Sequence, residues 1–301
     1  MRSAVDRYLA MRHAAGFDLV NTEYLLRSFA RVATARGEAY VRAATAIDWA
    51  SRGPSVTQRD ARLKTICRFA QYVRLEDDRH EMPPAQHFGT SKTRRVPHIY
   101  SPAEIRRLIA AARQLGSPEQ LHPHTYATLI ALLAATGLRV SEALSLQWSD
   151  VTPRGLVIRK TKFHKTRLLP LHNTTHAGLA RYLECRGHGM ANGPHVFITD
   201  DGRRLPYREV YSTFRTLVNA AGLVPDRGHR LRLHELRHTF AVRALEASPA
   251  GRRRVGQHMV ALATYMGHVN IGATYWYLET TPDLLREIAT AGETFLHGGQ
   301  L

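Results

Sequence analysis

Apolar positions in the first part of the chain recur at the three- and four-residue spacing of an α-helix, with polar positions between them. The spacing predicts a first helix that includes Val5 and a second that starts after an N-cap at Asn21 and stops at Gly37. A short third helix is predicted near residues 44–51, and a fourth follows an N-cap at Ser55. We therefore predict an all-helical N-terminal region.

Residues 76–96 break this pattern. Pro83 and Pro84 are followed by glycine, short polar residues and basic residues, a composition typical of a linker. We predict a domain boundary here. The predicted parts are a helical domain at 1–82, a linker at 83–97 and a second domain at 98–301.

The second domain opens with a strong helix signal. Ser101 and Glu104 have the spacing of a capping box, with proline at the first helical position. The almost wholly apolar run at 126–135 predicts a buried helix that ends at Gly137. Another helix is predicted over 140–146.

Short runs of β-type residues follow. Residues 156–159 and 167–171 flank a basic loop and predict a β-hairpin, and residues 195–199 predict a third short strand or a strand-turn. The second domain is therefore predicted to be α+β, with a small antiparallel sheet in a mainly α fold. Its remaining helices are predicted at 207–221, at 233–245, at 257–266 and from Thr281 onward.

The balance of charge suggests a partner. The chain has 42 basic and 25 acidic residues, a formal net charge of +17. Residues 1–95 hold 17 of the basic and 10 of the acidic residues, so they contribute +7 and the remainder +10. Because both parts are basic, we expect the chain to bind a nucleic acid, with an affinity that falls as salt rises. A high pI that only aids solubility is the alternative.

Cysteine and apolar content bear on the compartment. Apolar residues make up 44% of the chain, enough for a packed core. Cys67 and Cys185 lie far apart, which fits a reducing compartment and argues against a disulfide framework. No apolar run reaches the ~18 residues of a membrane span, and the first residues lack the apolar stretch of a signal peptide. We therefore expect a cytoplasmic protein, associated with the nucleoid if it binds DNA.

Two arginines are placed to bind an anion. Arg139 and Arg237 each fall near the start of a predicted helix, where backbone N–H groups also favour an anion. A guanidinium can hold two phosphate oxygens and stays charged at working pH. His234 lies three residues before Arg237, so both side chains leave one helical face, which we predict to be presented outward. For Arg139 the alternative is a surface salt bridge with Glu142, which could also fix the guanidinium from behind.

A lysine and a tyrosine would supply the remaining chemistry of phosphodiester cleavage. Lys162, in the basic hairpin loop, could protonate a departing sugar oxygen, with Lys160 and Lys165 as rivals. Tyr277 is the candidate nucleophile, because nearby positive charge would lower its pKa from about 10. Tyr275 competes with it on composition alone.

A zinc hydrolase is the alternative that the same residues raise. Residues 234–238 are a literal match to the helical zinc motif His-Glu-x-x-His. Against it, an arginine lies inside the motif, no third ligand is evident and the surroundings are basic. The sequence also has neither a Walker-type phosphate loop nor an acidic cluster for two-metal chemistry. We therefore expect no metal and no cofactor.

Five motifs, in chain order, resemble those of the tyrosine recombinase (phage integrase) family. Residues 135–144, Ala-Thr-Gly-Leu-Arg-Val-Ser-Glu-Ala-Leu, look like its first-arginine box, and residues 162–171 look like its hairpin lysine segment. Residues 234–241 look like its His-x-x-Arg box, and residues 266–268, Met-Gly-His, look like its Leu-Gly-His box. The family's nucleophile commonly falls nine residues after that histidine, which favours Tyr277.

The resemblance implies a helical N-terminal core-binding (SAM-like) domain and an α+β tyrosine-recombinase catalytic domain that together clamp double-stranded DNA. It implies a dimer on each site, a tetramer in the synapse, a final helix that docks onto a neighbouring protomer, and accessory recombinases as further candidate partners. Cleavage would be a transesterification that needs neither metal nor nucleotide. The implied catalytic residues are Arg139, Arg237 and His268 on the phosphate, Lys162 as general acid, His234 in proton transfer and Tyr277 in a 3′-phosphotyrosyl bond.

Two departures and two rival functions accompany this prediction. Phe163 and His164 stand in the hairpin where relatives often carry glycine, and residues 248–257 are basic where a short turn is usual. The Tyr-Trp-Tyr-Leu ending resembles mobile-element integrases more than chromosome resolvases. A type IB topoisomerase-like enzyme would share the chemistry without pairing two sites. A DNA-binding regulator would carry a vestigial site.

Overall fold

The structure is a computed structural model that describes residues 1–89, 96–159, 166–187, 193–224, 230–247, 252–267, 272 and 274. The side chains of residues 252–255 are outside this description. Two compact units divide the chain, Met1–Arg95 and Val96–Leu301. The assignment of 1–82 as a DNA-binding domain and of 83–97 as a linker stays a prediction.

Four helices form the first unit around one apolar core. Phe29 and Phe69 are among its fully buried side chains, and Trp49 packs edge-on against Phe29 with ring centroids 5.6 Å apart. The four helices predicted from the apolar spacing are confirmed. Their bounds are Arg2–Ala14 (α1), Val20–Ala35 (α2), Ala43–Ser51 (α3) and Val56–Val73 (α4).

The two predicted N-caps of this unit have different outcomes. Ser55 caps α4 as predicted, because its hydroxyl accepts a backbone N–H of the first turn at 3.2 Å. Asn21 does not cap α2, because the helix begins at Val20 and the carbonyl of Leu19 already accepts the N–H of Glu23 at 2.7 Å. Leu19 packs against the apolar core, so burial rather than a polar cap fixes this helix start.

Residues just after α4 lie against the first unit. Phe88 packs on its core, and the Cys67 thiol donates a hydrogen bond to the carbonyl of Pro83 at 3.4 Å. The carboxylate of Glu81 accepts the N–H of Ala43 at the start of α3 at 2.7 Å. The beginning of the predicted linker is therefore packed on the helices of the first unit.

Seven α-helices and a small sheet make up the described part of the second unit. The helices are Pro102–Ala112 (α5), Leu121–Thr136 (α6), Val140–Leu144 (α7), Asn173–Gly187 (α8), Tyr207–Ala220 (α9), Glu235–Glu246 (α10) and Arg252–Met266 (α11). The predicted capping box before α5 is confirmed, with Glu104 accepting the N–H of Ser101 at 2.7 Å and donating its own N–H back at 3.2 Å. Gly137 ends α6 as predicted, in the left-handed conformation with φ 60°.

Three helices of this unit differ from the sequence prediction. α8 is absent from the prediction, because its buried residues Leu179, Tyr182 and Leu183 are too few for a clear apolar stripe. α6 starts at Leu121 instead of within the apolar run, and α11 starts at Arg252 instead of at residue 257, inside the basic stretch at 248–257 where a short turn is usual. The first turns of α6 and α11 are polar in composition, so the apolar pattern does not show where these helices begin. Packing of their later turns stabilises them.

The predicted hairpin is confirmed within a three-stranded antiparallel sheet of order β1-β2-β3. Its strands are Val151–Thr152 (β1), Gly155–Ile158 (β2) and Arg167–Leu169 (β3). Leu156 pairs with Leu169, and Ile158 pairs with Arg167 at the loop end of the hairpin. The added strand β1 has only two residues, too few for a period-2 signal.

For residues 195–199, the strand-turn alternative is correct. These residues make isolated bridges, His195 with Gln147 and Ile198 with Arg204, and no ladder. Val196 and Phe197 are also fully buried, so the segment fills the core instead of extending the sheet.

α6 is the centre of the second unit. It packs against α5, α8 and α10, so most of its apolar residues are buried, including Leu129, Ile130 and Leu133. This position explains the nearly continuous apolar run in its sequence. A smaller cluster joins α10 to α11 through Val242, Leu245 and other apolar residues, which fixes the end of α11 beside the start of α10. Among the described helices, none combines the length and apolar character needed to cross a membrane.

Candidate active site

The first-arginine motif lies where α6 ends and α7 begins. At Gly137, an added Cβ would lie 2.5 Å from Cδ1 of Phe240, so the turn has no room for a side chain. Arg139 follows in an extended conformation before the first turn of α7. Its side chain is 31% exposed, which leaves part of the guanidinium accessible.

Glu142 holds Arg139 in this position. Its carboxylate accepts the backbone N–H of Arg139 at 3.0 Å and Nη1 at 2.8 Å. Burial raises the pKa of Glu142, but hydrogen bonds from Arg167 and from the Arg139 N–H, with both positive charges, outweigh burial and lower this pKa. The salt bridge with Glu142, considered as the alternative for Arg139, therefore exists. Its carboxylate is only 7% exposed and fixes the guanidinium, the second role expected of Glu142.

A second guanidinium binds the same carboxylate. Arg167 donates Nη1 and Nη2 to the two oxygens of Glu142 at 3.1 and 3.0 Å, and Nε to the carbonyl of Tyr265 at 3.0 Å. In the sequence, Arg167 is one of several basic residues around the hairpin loop. Because 25 positions separate it from Glu142, no local periodicity indicates this contact. Sequence reasoning missed its place in the site.

Arg237 is buried, and the prediction that it is presented outward is wrong. The residue is 2% exposed, and its Nη1 donates to the carbonyl of Gly137 at 2.5 Å. Its Nη2 donates to the carbonyl of Met266 at 2.8 Å. The helical face that carries Arg237 packs against the ends of α6 and α11, where backbone carbonyls accept its N–H groups. A buried guanidinium is tolerated when it is bonded in this way.

Arg139 and Arg237 converge on one turn. Nη2 of Arg139 donates to the carbonyl of Gly267 at 3.3 Å. The preceding carbonyl, that of Met266, accepts a hydrogen bond from Nη2 of Arg237. Arg139 and Gly267 are 128 positions apart in the chain. The turn therefore collects the first-arginine, His-x-x-Arg and Met-Gly-His motifs at one place, directly before His268.

His234 lies at the start of α10, near enough to Arg139 and Arg237 for their charges to act on its ring. The residue is exposed, but protein atoms crowd its ring, which meets the ring of His238 edge-on with centroids 4.9 Å apart. Partial burial, followed by the charges of Arg237, Arg232 and Arg139, lowers the pKa of His234 from 6.5 to about 4. The imidazole is therefore neutral at working pH.

The zinc motif of the sequence does not form a ligand set. Glu235 is fully buried and turns back to the helix start, where its carboxylate accepts the N–H of Arg232 at 2.8 Å. Within the described ranges, no group of three or more His, Cys, Asp or Glu side chains could hold a metal ion. His234 and His238 thus face each other without the further donors that zinc takes.

Several predicted site residues lie outside the described residues. They are Lys162 with its rivals Lys160 and Lys165, His268, and Tyr277 with its competitor Tyr275. The hairpin residues Phe163 and His164 and the final predicted helix from Thr281 also lie outside them. The structure thus brings together Arg139, His234 and Arg237, half of the predicted catalytic set.

A sequence model described as the phage integrase family matches residues 99–283, more than half of the chain. The chain belongs to the phage integrase family. This result confirms the resemblance carried by the motifs. Phage integrases of the tyrosine type cut and rejoin DNA strands, so the protein is an enzyme of DNA recombination.

Two similar proteins match this chain over most of its length. Protein y4rB of Sinorhizobium fredii, named as an integrase/recombinase, is 36% identical over 95% of this chain and 95% of its own length. The tyrosine recombinase XerD of Caulobacter vibrioides is 30% identical over 80% of this chain and 76% of its own length. The similarity therefore extends beyond the catalytic motifs.

Solved structures share the fold. The XerH recombinase bound to a palindromic difH substrate, in a post-cleavage complex, superposes with a TM-score of 0.67 at 19% identity and covers 91% of this chain and 80% of its own. The Tn1549 transposon integrase in complex with transposon right-end DNA gives 0.65 at 19% identity and covers 91% and 94%. The mainly helical integrase fold with a small antiparallel sheet is confirmed.

Proposed function

We propose that this phage integrase is the site-specific recombinase of a mobile DNA element and that it cuts DNA through a phosphotyrosyl bond at Tyr277. The supporting observation is the convergence of Arg139 and Arg237 on the adjacent carbonyls of residues 266–267. Two guanidinium groups beside one turn can neutralise the charge that develops on a pentacoordinate phosphorus. His268, the next residue in the chain, would add a third donor.

In the proposed cleavage step, the phenolic oxygen of Tyr277 attacks the scissile phosphorus. The new oxygen–phosphorus bond forms as the bond from phosphorus to the 5′-oxygen breaks. The phosphate therefore stays on the 3′ end of the cleaved strand as a tyrosyl diester. Lys162 donates a proton to the departing 5′-oxygen, which leaves as a hydroxyl. Rejoining reverses these transfers when the 5′-hydroxyl of a second strand attacks the same phosphorus.

His234 fits the role of proton acceptor in this step. Its lowered pKa, about 4, keeps the imidazole neutral, so a ring nitrogen can take the proton of the attacking phenol. The positive charges that lower this pKa would also favour the phenolate of Tyr277. His234 and the arginines would therefore both favour loss of the proton from Tyr277.

The reaction needs no external energy source. One phosphodiester is exchanged for another, and the tyrosyl diester keeps the bond energy that religation uses. The chemistry of the named side chains is proton transfer and charge neutralisation, for which arginine, lysine and histidine suffice. We accordingly propose a mechanism without metal or nucleotide cofactor.

Assembly on DNA follows from the same proposal. XerH and the Tn1549 integrase were solved bound to DNA. For this chain we propose that residues 1–82 and the catalytic unit both contact the duplex, with a dimer on each site and a tetramer in the synapse. The final helix from Thr281 would dock onto a neighbouring protomer, and accessory recombinases and nucleoid association belong to the same proposal. The net charge of +17 supports a polyanionic partner.

A covalent adduct with DNA tests the chemistry. The protein is incubated without added metal, in the presence of a chelator, with nicked suicide duplexes from the ends of its own element. We expect an SDS-resistant protein–DNA adduct that Tyr277→Phe abolishes and Tyr275→Phe retains. Two pieces of DNA joined at a defined base pair in a religation reaction would add site specificity.

Each other outcome points to a particular alternative. Loss of the adduct only in Tyr275→Phe would keep the family chemistry and move the nucleophile. Adduct formation with relaxation of supercoils at random sequence would favour the topoisomerase-like function. Tight DNA binding without an adduct in any variant would overturn the proposal in favour of a DNA-binding regulator.

A further inference from the structure

Arg167 connects three parts of the site that are distant in the sequence. It begins β3 at the loop end of the hairpin, and its side chain is 13% exposed. From there its guanidinium reaches Glu142 of the first-arginine motif and the carbonyl of Tyr265 in α11. Each of its three nitrogens donates a hydrogen bond. The side chain is therefore held at both ends of its fork.

The contact with Glu142 is specific for arginine. Nη1 and Nη2 bind separate carboxylate oxygens at 3.1 and 3.0 Å, which is the bidentate geometry of a guanidinium on a carboxylate. A lysine at this position has the same charge but only one nitrogen, so it cannot form both bonds and also reach Tyr265. Charge and geometry can thus be separated by experiment.

Gly267 is fitted to the same guanidinium. Its φ is +67°, and an added Cβ would lie 2.6 Å from Nη1 and 2.9 Å from Cζ of Arg167. The backbone at Gly267 therefore lies so close to the guanidinium that no side chain fits between them. Since the carbonyl of Gly267 accepts Nη2 of Arg139, a shift of Arg167 would move a partner of Arg139.

Glu142 is shared between two arginines, and this sharing matters for Arg139. Arg167 occupies both carboxylate oxygens, while the side chain of Arg139 takes one of them at 2.8 Å. Without Arg167, the carboxylate could turn to Arg139 as its bidentate partner and neutralise it. With Arg167 present, the negative charge of Glu142 is already balanced, so the charge of Arg139 is left for an anion.

We propose that Arg167 is a positioning residue for strand cleavage, which clamps Glu142 and the turn at 265–267 so that Arg139 stays directed at the scissile phosphate. The inference rests on the proposed function, because it presupposes that the protein cleaves DNA. Arg167 acts through Arg139 and does not itself need to contact the DNA. It would also tie the hairpin that carries Lys162 to the arginine site.

The test compares Arg167→Lys with Arg159→Lys. Arg159 follows β2 on the same sheet, is 56% exposed and pairs with Asp150, away from Glu142. The two variants therefore lose a guanidinium fork at the same net charge. On the suicide duplex at saturating protein, we expect the first-order rate of adduct formation to fall about 10- to 100-fold in Arg167→Lys, as for a small displacement of a catalytic group. The dissociation constant for DNA should stay within about threefold, and Arg159→Lys should match the wild type.

A double-mutant cycle with Glu142→Gln separates positioning from a general loss of structure. If Arg167 acts through the carboxylate, then Arg167→Lys should cost little more than about threefold in a protein that already carries Glu142→Gln. Independent, multiplied losses would overturn the inference. The unfolding temperature of each variant is measured beside its rate, so that a folding defect is recognised.

Gly267→Ala provides a second approach to the same contact. Its methyl group would displace the guanidinium of Arg167, so we expect the same pattern of slower cleavage at retained DNA affinity. If Arg167→Lys does not fold, this variant still tests the inference. A normal cleavage rate in Gly267→Ala would then overturn the inference.

The outcomes distinguish this inference from the proposed function. If the wild type forms no adduct on DNA that it binds, then the proposed function fails and the inference fails with it. If the wild type forms the adduct and Arg167→Lys cleaves like Arg159→Lys, only the inference is overturned. Weaker DNA binding at an unchanged cleavage rate would make Arg167 a DNA contact and would also overturn it.

Discussion

The two compact units place their charged side chains differently. In the first unit, most ion pairs lie on the surface: the pair of Arg7 with Glu76 is 55% and 47% exposed, and that of Arg27 with Asp6 is 52% and 57% exposed. No Asp, Glu, Lys or Arg in residues 1–89 is buried. In the described part of the second unit, buried charged residues are present. They are Glu142, Asp150, Arg186, Glu235 and Arg237.

This difference indicates where function has shaped the core. A buried charge costs free energy unless partners compensate it, so a fold that needs only stability keeps its charges outside. The first unit follows that rule with an apolar core and surface pairs. The second unit buries Glu142 and Arg237 around the turn at 266–267, where the proposed phosphate site lies. The cost is understandable if these groups must be held rigidly for catalysis.

Removing a buried charge of the second unit should have the largest effect. We expect Arg237→Ala to lower the rate of adduct formation by at least about 100-fold, because the proposed donor to the reacting phosphate is lost. The free energy of unfolding should also fall by about 2–5 kcal/mol, since two buried carbonyls lose their donor and a cavity remains. Single-turnover cleavage and urea unfolding measure the two effects.

Arg243→Ala is the matched control for this prediction. Arg243 lies on the same helix, α10, but is 53% exposed and pairs with Glu246 at the surface. Its loss should leave both the cleavage rate and the stability close to those of the wild type. Equal effects of the two substitutions would contradict the distinction between buried and surface arginines.

The titration of His234 tests the combined effect of partial burial and of the neighbouring positive charges on its ring. Its pKa is lowered from 6.5 to about 4 by partial burial and by three arginines. The folded protein thus stays unprotonated at this ring while the unfolded chain takes up a proton below about 6.5. The contribution of His234 to stability should therefore be complete above pH 6.5 and decline as the pH falls toward 4.

Two measurements check this expectation. An NMR titration should show a midpoint for the His234 ring near 4, with His234→Gln to assign the resonance. In unfolding experiments, His234→Gln should weaken the loss of stability between pH 6.5 and 4. A midpoint close to 6.5 would contradict both the partial burial of the ring and the effect of the arginine charges on it.

A surface pair of the first unit should have the smallest effect. Arg27 donates to Glu23 and Asp6 at 2.8 Å each, and its side chain is 52% exposed. We expect Arg27→Ala to move the thermal midpoint by no more than about 2 °C, because water and salt screen such pairs. The neighbouring Leu26 is fully buried, and Leu26→Ala should cost about 2–5 kcal/mol. A large effect of Arg27→Ala would remove the contrast between the units.

Most of the fold could be predicted from the sequence, and the predictions that were wrong have physical reasons. The helices of the first unit, the Ser55 cap, the capping box at Ser101 and the hairpin follow from local spacing and turn chemistry. α8 could not be predicted in this way, because it contributes few apolar residues to a core that other elements supply. Asn21 failed as a cap because burial of Leu19 outweighs a single polar hydrogen bond.

The candidate site, too, could be predicted from the sequence only in part. The amino-acid sequence by itself determined the identity and order of the motifs, including Arg139, His234 and Arg237, because their chemistry and spacing are local properties of the chain. Only the tertiary structure decided that Arg237 is buried, that the pKa of His234 falls, and that Arg167 shares Glu142 with Arg139. These outcomes depend on desolvation and on charges brought together from segments 25 to 128 positions apart, and such distances exist only after folding.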